Sequence, residues 1–141
     1  MSEKLIIYTD GACKGNPGLG GWGAVLIYGE HRKEIYGSID NTTNNRMELM
    51  AVIEAIKVIK RPCPIEIYTD SQYVQKGISE WIHGWIKKNW KNVKNIDLCQ
   101  ELLLVQKGYE ISWNWVRGHD GNELNERADQ LANLAVSQHG N

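Results

Sequence analysis

Two nearly identical apolar runs each end in a carboxylate. Leu5-Ile6-Ile7-Tyr8-Thr9-Asp10 is followed by Gly11, and Ile65-Glu66-Ile67-Tyr68-Thr69-Asp70 closes on the same Tyr-Thr-Asp. The unbroken start of the first run reads as a buried strand. As parallel neighbours the two strands set Asp10 and Asp70 side by side at the carboxyl edge of a sheet, where ligands bind in open α/β sheets. Adjacent anions repel, so a shared proton or a metal ion has to compensate. Two further acids have inward addresses. Glu48 starts the stripe Met47, Ala51, Val52, Ala55, Val58, Ile59, and Asp129 lies beside the stripe Leu124, Ala128, Leu131, Ala132, Ala135. Taken singly, each acid has an ordinary structural reading. Asp before Gly or Ser is turn and cap chemistry, Glu48 could pair with Arg46, and Asp129 near a helix start favours the dipole. Taken together, four buried acids without a cationic cluster would cost several kcal/mol each. Hard divalent cations resolve that cost, and all-oxygen ligands suit Mg²⁺ or Mn²⁺ over zinc.

The elements that must position these acids follow from periodicity. After the first strand, Gly11 to Gly18 reads as a glycine-rich loop. Gly18-Leu19-Gly20-Gly21-Trp22-Gly23 matches the dinucleotide fingerprint literally, but Ala24-Val25-Leu26-Ile27-Tyr28 continues as a strand where that fingerprint opens a helix. The stretch 21–28 is therefore a second strand and 32–39 a third, an edge, all antiparallel through short connections. Thr42 or Thr43 caps a helix running to about Ile59, and Arg61-Pro62-Cys63-Pro64 stops it. A helix from about Ser71 carries Ile78, Trp81, Ile82, Trp85 and Ile86, with Gly77 and Gly84 as breaks; a further helix covers 96–107. Ile111, Trp113 and Trp115 alternate in a last strand, and 123–137 is the closing helix. The expected fold is α/β, a mixed five-stranded sheet, three antiparallel strands then parallel ones, flanked by helices.

With 141 residues, the chain 1–141 is expected to form one domain with a real core. Apolar content of 42% and charged content of 23% are ordinary for a soluble protein, and no signal peptide or membrane span is visible. Cys13, Cys63 and Cys99 match no zinc or redox spacing, which points to reduced thiols in the cytoplasm. The net charge of −1 gives no hint of nucleic acid, but its distribution does. Lys87, Lys88, Lys91 and Lys94 lie between His83 and Ile96 with no acid among them, and taking these four away from −1 leaves −5 on the rest. A basic segment on an acidic body suggests a local anion contact, although alone it would read as a solvated helix end.

The residues Tyr-Thr-Asp-Gly-Ala-Cys-Lys-Gly-Asn-Pro-Gly at 8–18, Thr-Asn-Asn-Arg-Met-Glu-Leu at 43–49, Thr-Asp-Ser-Gln-Tyr-Val at 69–74, and Val-Arg-Gly-His-Asp-Gly-Asn with Asn-Glu-Arg-Ala-Asp within 116–129 resemble type 1 ribonuclease H, of the bacterial ribonuclease HI kind. The likeness spans Leu5 to about Val136, with four motifs in order. It implies hydrolysis of the RNA strand of an RNA–DNA hybrid, leaving 5′-phosphate and 3′-hydroxyl ends. It also implies Asp10, Glu48, Asp70 and Asp129 as ligands of two Mg²⁺ ions, about 4 Å apart across the scissile phosphate. His119 resembles the family's histidine that handles protons or helps product leave; alone, a loop histidine is more often a surface residue. Cys13, Gly15, Asn16, Asn44, Asn45 and Gln72 match the positions that sense the 2′-hydroxyl in the minor groove. Thr43 and Asn95 match a phosphate pocket for the DNA strand. Trp81, Trp85 and the basic segment Lys87, Lys88, Lys91 and Lys94 resemble the family's channel and protruding handle, with Trp85 expected to serve partly in packing.

Two positions depart from the pattern. Asn41 stands where the family often has Arg, and the handle is several residues short after Lys91. The competing readings are a DNA nuclease or transposase-like enzyme on the same fold, which lacks the asparagine-rich reader and the handle, and a hybrid-binding module without catalysis. The four acids argue against the module, because anionic groups facing phosphate gain a pure binder nothing. No obligate protein partner is evident, and a monomer is expected.

Overall fold

The structure, a computed structural model, describes residues 4–15, 17–77, 80, 82–91, 94–117 and 122–139. In chain order the elements are β1 (Leu5–Gly15), β2 (Gly18–Tyr28), β3 (His31–Thr42), α1 (Asn44–Lys57), β4 (Ile65–Thr69), α2 (Gln72–Lys76), α3 (Ile82–Lys87), α4 (Ile96–Gln106), β5 (Ile111–Trp115) and α5 (Glu123–Gln138). They form one five-stranded sheet in the order β3-β2-β1-β4-β5. The pairs β1–β2 and β2–β3 are antiparallel, and β1–β4 and β4–β5 are parallel. This is the mixed sheet that the sequence pattern predicts, with β3 at an edge.

Alternation along the strands divides the core between two faces. On one face Leu5, Ile7, Ile65 and Ile67 pack with Val52, Ile53 and Ile56 of α1 and Leu98 and Leu102 of α4. On the other, Val25 packs with Ala128 and Leu131 of α5, flanked by Tyr8 and Ile27. Thr43 caps α1 by accepting from the backbone N–H of Arg46. Ser71 caps α2 by accepting from Val74 N–H, and Asn122 caps α5 by accepting from Leu124 and Asn125.

Two local expectations change. The glycine-rich stretch after Asp10 is mostly strand, because β1 and β2 stay paired as far as Gly15 with Gly18. The helix expected from Ser71 onward is α2 and α3, with α2 ending directly before Gly77, one of the two expected breaks. Gly84 lies inside α3 rather than at a break, in open space where its missing side chain leaves no gap to fill. All three cysteines are free. No helix among the described residues is long and apolar enough to cross a membrane.

Candidate active site

The parallel register carries β1 and β4 up the sheet in step, Tyr8 beside Tyr68 and Thr9 beside Thr69. The next residues are Asp10 and Asp70. Glu48, one turn into α1, reaches the same place from the face above. Ligand oxygens of Asp10, Glu48 and Asp70 all lie within 4.8 Å of one another. Asp129, from the first half of α5, lines the same cleft, as do Asn44, Asn45, Ser71, Gln72 and Tyr73. The cleft has a volume of about 380 Å³, and among the described residues none that lines it carries a positive charge. A cavity of about 430 Å³ at the far end of the sheet is lined by Leu5, Tyr28, Val58, Pro62 and basic side chains; it gathers no acids able to do chemistry.

Close packing of backbones makes this meeting possible. A Cβ on Gly11 would stand 2.6 Å from the backbone N of Glu48, so a glycine there lets α1 lie against β1 beside Asp10. Gly11 N–H donates to Asp10 Oδ1 at 2.9 Å. Asp70 is steadied from the next strand, where the Trp115 indole N–H donates to its carbonyl oxygen at 3.0 Å. Asn133 Nδ2 donates to Asp129 Oδ1 at 3.3 Å, one turn along α5.

The electrostatics are those of crowded anions. Asp10 and Glu48 are each only 5% exposed. Burial pushes the Asp10 carboxyl far above the usual carboxylate range, and the charges of Glu48 and Asp70 add to it. Burial also raises Glu48, opposed by hydrogen bonds from Asp10, Gly11 and Ser71. Without a cation, the pair holds a proton that ordinary carboxyls have lost by neutral pH. Glu48 Oε1 is buried with no hydrogen-bond partner. A buried carboxyl oxygen with an unused lone pair, among acids and, among the described residues, beside no cation, fits a hard metal ion and its oxygen ligands.

The structure brings some expected residues to this cleft and leaves others apart from it. Asn44, Asn45 and Gln72 line the rim with exposed side chains. Gly15 turns the β1–β2 hairpin with φ +79°. The Cys13 thiol points into the strands instead of the cleft, donating to the carbonyls of Thr42 at 3.3 Å and Gly18 at 3.6 Å. Thr43 and Asn95 head α1 and α4 respectively. Trp85 packs against the main core and tilts against Trp90 at 6.4 Å between ring centroids. Lys87, Lys88, Lys91 and Lys94 are exposed. Asn16, Trp81 and His119 lie outside the described residues. Arg46 does not pair with Glu48; its guanidinium holds Asp97 in a two-pronged bridge, at 2.9 and 2.7 Å. Residues two apart on a helix do not face each other, so Arg46 and Glu48 leave α1 in different directions. Sequence reasoning overlooked Ser71, Tyr73 and Trp115. Ser71 was open to recognition as an N-cap directly after Asp70.

The RNase H family model matches residues 2–137. A ribonuclease H of Cupriavidus metallidurans is 63% identical over 140 residues, covering 96% of this chain and 97% of that one. A ribonuclease HI of Caulobacter vibrioides is 56% identical over 143 residues, covering 98% and 96%. Among solved structures, LC9-RNase H1, described as a type 1 RNase H with the type 2 active-site motif, superposes with a TM-score of 0.87 at 32% identity, covering 97% of this chain and 74% of that one. LC11-RNase H1 in complex with an RNA/DNA hybrid superposes with a TM-score of 0.69 at 25% identity, covering 94% and 96%. Both the sheet that sets the acids side by side and the sequence that forms it are shared along nearly the whole length, and the chain belongs to the ribonuclease H family.

Proposed function

We propose that the protein is a metal-dependent endonuclease that hydrolyses the RNA strand of RNA–DNA hybrids, leaving 5′-phosphate and 3′-hydroxyl ends. The observation that carries this reading is the convergence of Asp10, Glu48 and Asp70 within 4.8 Å, with Asp129 in the same cleft and, among the described residues, no cation beside them. These four residues would hold two Mg²⁺ ions, for which Mn²⁺ can substitute. When bound, the ions supply activation of a water nucleophile and stabilise charge on the leaving 3′-oxygen.

The chain's own groups do the rest. Asp10 and Glu48 are fixed by their two elements before substrate arrives, so little reorganisation is needed at the moment of reaction. Asn44, Asn45 and Gln72 offer amides that both donate and accept, the chemistry a 2′-hydroxyl in a wide minor groove requires. Cys13, Gly15 and Asn16 extend that reader as small or amide groups able to donate and accept. Thr43 and Asn95 take a phosphate of the DNA strand. Trp81, Trp85 and the lysines of 87–94 guide the same strand, and His119 carries a proton or assists product release. The free thiols and the hybrid substrate suit a cytoplasmic enzyme acting as a single-domain monomer.

The test is cleavage of one end-labelled sequence presented as hybrid, DNA duplex and RNA duplex, with Mg²⁺ and with chelator. Cutting confined to the RNA of the hybrid and dependent on Mg²⁺ is expected. Cleavage of the DNA duplex would replace this reading with a DNA nuclease, and tight hybrid binding without cutting would replace it with a binding module.

A further inference from the structure

The heads of α1 and α4 are joined through one side chain. Arg46 donates its backbone N–H to the Thr43 hydroxyl at 3.3 Å. Its guanidinium reaches across to α4, where Nη1 donates to Asn95 Oδ1 at 3.4 Å. Asn95 Nδ2 donates in turn to the Tyr73 hydroxyl at 3.2 Å, and Tyr73 lines the carboxylate cleft. Asn95 is left-handed, with φ +59°, and its side chain does not cap its own helix. Such a backbone persists where its surroundings over-determine it. The surroundings here are Arg46 and Tyr73.

Arg46 is held in turn by Asp97 through both prongs of its guanidinium, at 2.9 and 2.7 Å. The Asp97 side chain is 65% exposed. An ion pair so open to water adds little to stability. A planar two-pronged fork does fix direction, which a single contact does not. The first turn of α1 carries no acid, and the single acid in the first turn of α4 is this Asp97, spent on Arg46. The head of α1 is thereby left open to an outside anion, whereas on α4 the Asp97 carboxylate also accepts from the Leu98 backbone N–H.

We propose that Asp97 is a positioning residue for substrate: by fixing Arg46 it holds Asn95 and Thr43 in one frame and so forms the pocket for a phosphate of the DNA strand. This rests on the functional reading above. Asp97 touches no substrate itself. Without it the guanidinium swings into solvent, Asn95 loses its Arg46 partner, and the pocket exists for only part of the time, which weakens binding in proportion.

The experiment compares the parent with Asp97→Ala, Asp97→Asn and Asp97→Glu, using a labelled hybrid. Binding is titrated in Ca²⁺, and KM and kcat are measured separately in Mg²⁺. For Asp97→Ala and Asp97→Asn, Kd and KM are expected to rise roughly three- to tenfold, the range of one lost hydrogen-bonded link, with kcat unchanged. Asp97→Glu recovers most of the loss. A neutral methylphosphonate walked along the DNA strand should weaken the parent at one position and have little further effect there in Asp97→Ala, because the contact is already lost. A KM within twofold of the parent, or full methylphosphonate sensitivity in Asp97→Ala, overturns the proposal. Tighter binding with a steeper salt dependence also overturns it, since Arg46 would then be a phosphate ligand held back by Asp97. A parent that neither binds nor cuts hybrids removes the functional reading itself, an outcome distinct from all of these.

Discussion

Gly23 lies directly across the antiparallel pair from Asp10, and a Cβ on it would stand 2.7 Å from the carbonyl oxygen of Ala128. The missing side chain thus lets α5 settle on β2 at the level of Asp10, and the next residue of that helix is Asp129. Gly23→Ala is expected to lift α5, destabilising the fold by about 1–3 kcal/mol, the usual cost of overpacking. Cleavage should fall further than unfolding explains, because Asp129 moves away from the other acids. Urea melts and rates measured well below the melting temperature separate the two effects; a stable variant with parental activity would contradict this role.

Asp10 is raised first by burial and then by the charges of Glu48 and Asp70. A carboxyl with a raised folded value keeps its proton where the unfolded chain has lost it, so its contribution to stability falls as pH rises above the unfolded value of about 4. Asp10→Asn removes that penalty. In chelator at neutral pH the variant should melt above the parent, and the gap should close as pH falls below about 4. The variant should not cleave hybrid. Mg²⁺ should raise the melting temperature of the parent and leave that of Asp10→Asn little changed. A variant that melts lower at neutral pH would show that the Asp10 carboxyl does structural work beyond its charge.

Asp97 titrates in the opposite sense. The Arg46 hydrogen bonds hold it at about 2. A depressed carboxyl stabilises the fold above its unfolded value, about 4, and that contribution is lost as pH falls toward about 2. The pair is solvent-exposed, so the effect is small. Urea midpoints of the parent and Asp97→Asn should differ at neutral pH and converge as pH falls from about 4 to about 2. A constant difference across that range would show that the bridge does not depend on the charge of Asp97.

How much of this was legible in sequence depended on whether the cause was local. Asp10 and Asp70 were visible because a strand and its last residue are neighbours in the chain, and the Tyr-Thr-Asp repeat marks both ends. Glu48 and Asp129 were visible because helical periodicity reports which face a residue takes. The glycines were misleading. Along 11–18 they read as a loop, while in the fold Gly11, like Gly21 and Gly23 of β2, is a strand residue whose lack of a side chain admits α1 or α5. That demand comes from helices distant in sequence, and no local pattern encodes it. For the same reason the sequence offers nearby Glu48 as an ordinary partner for Arg46, while its partners, Asn95 and Asp97, come from α4. The Trp115 indole on the Asp70 carbonyl is likewise a contact between strands, while alternation alone gives Trp115 only a face of the sheet.

Lys87, Lys88, Lys91 and Lys94 are all exposed, and none forms an ion pair among the described residues. The rest of the chain is acidic, so hybrid binding should lean on this one segment. Each lysine that neutralises a phosphate contributes about 0.7–0.9 to the slope of log affinity against log salt. Four such contacts would give a slope of about −3, and lysines that point away from the duplex reduce it. Replacing all four with Gln should weaken binding and flatten the slope by about one unit or more. The acids are supplied by other elements, so turnover at saturating substrate should survive. The check is a hybrid titration in Ca²⁺ at several salt concentrations for the parent and the fourfold variant. Coincident slopes would mean that the segment is a solvated surface and that the DNA strand is held by Thr43 and Asn95 alone.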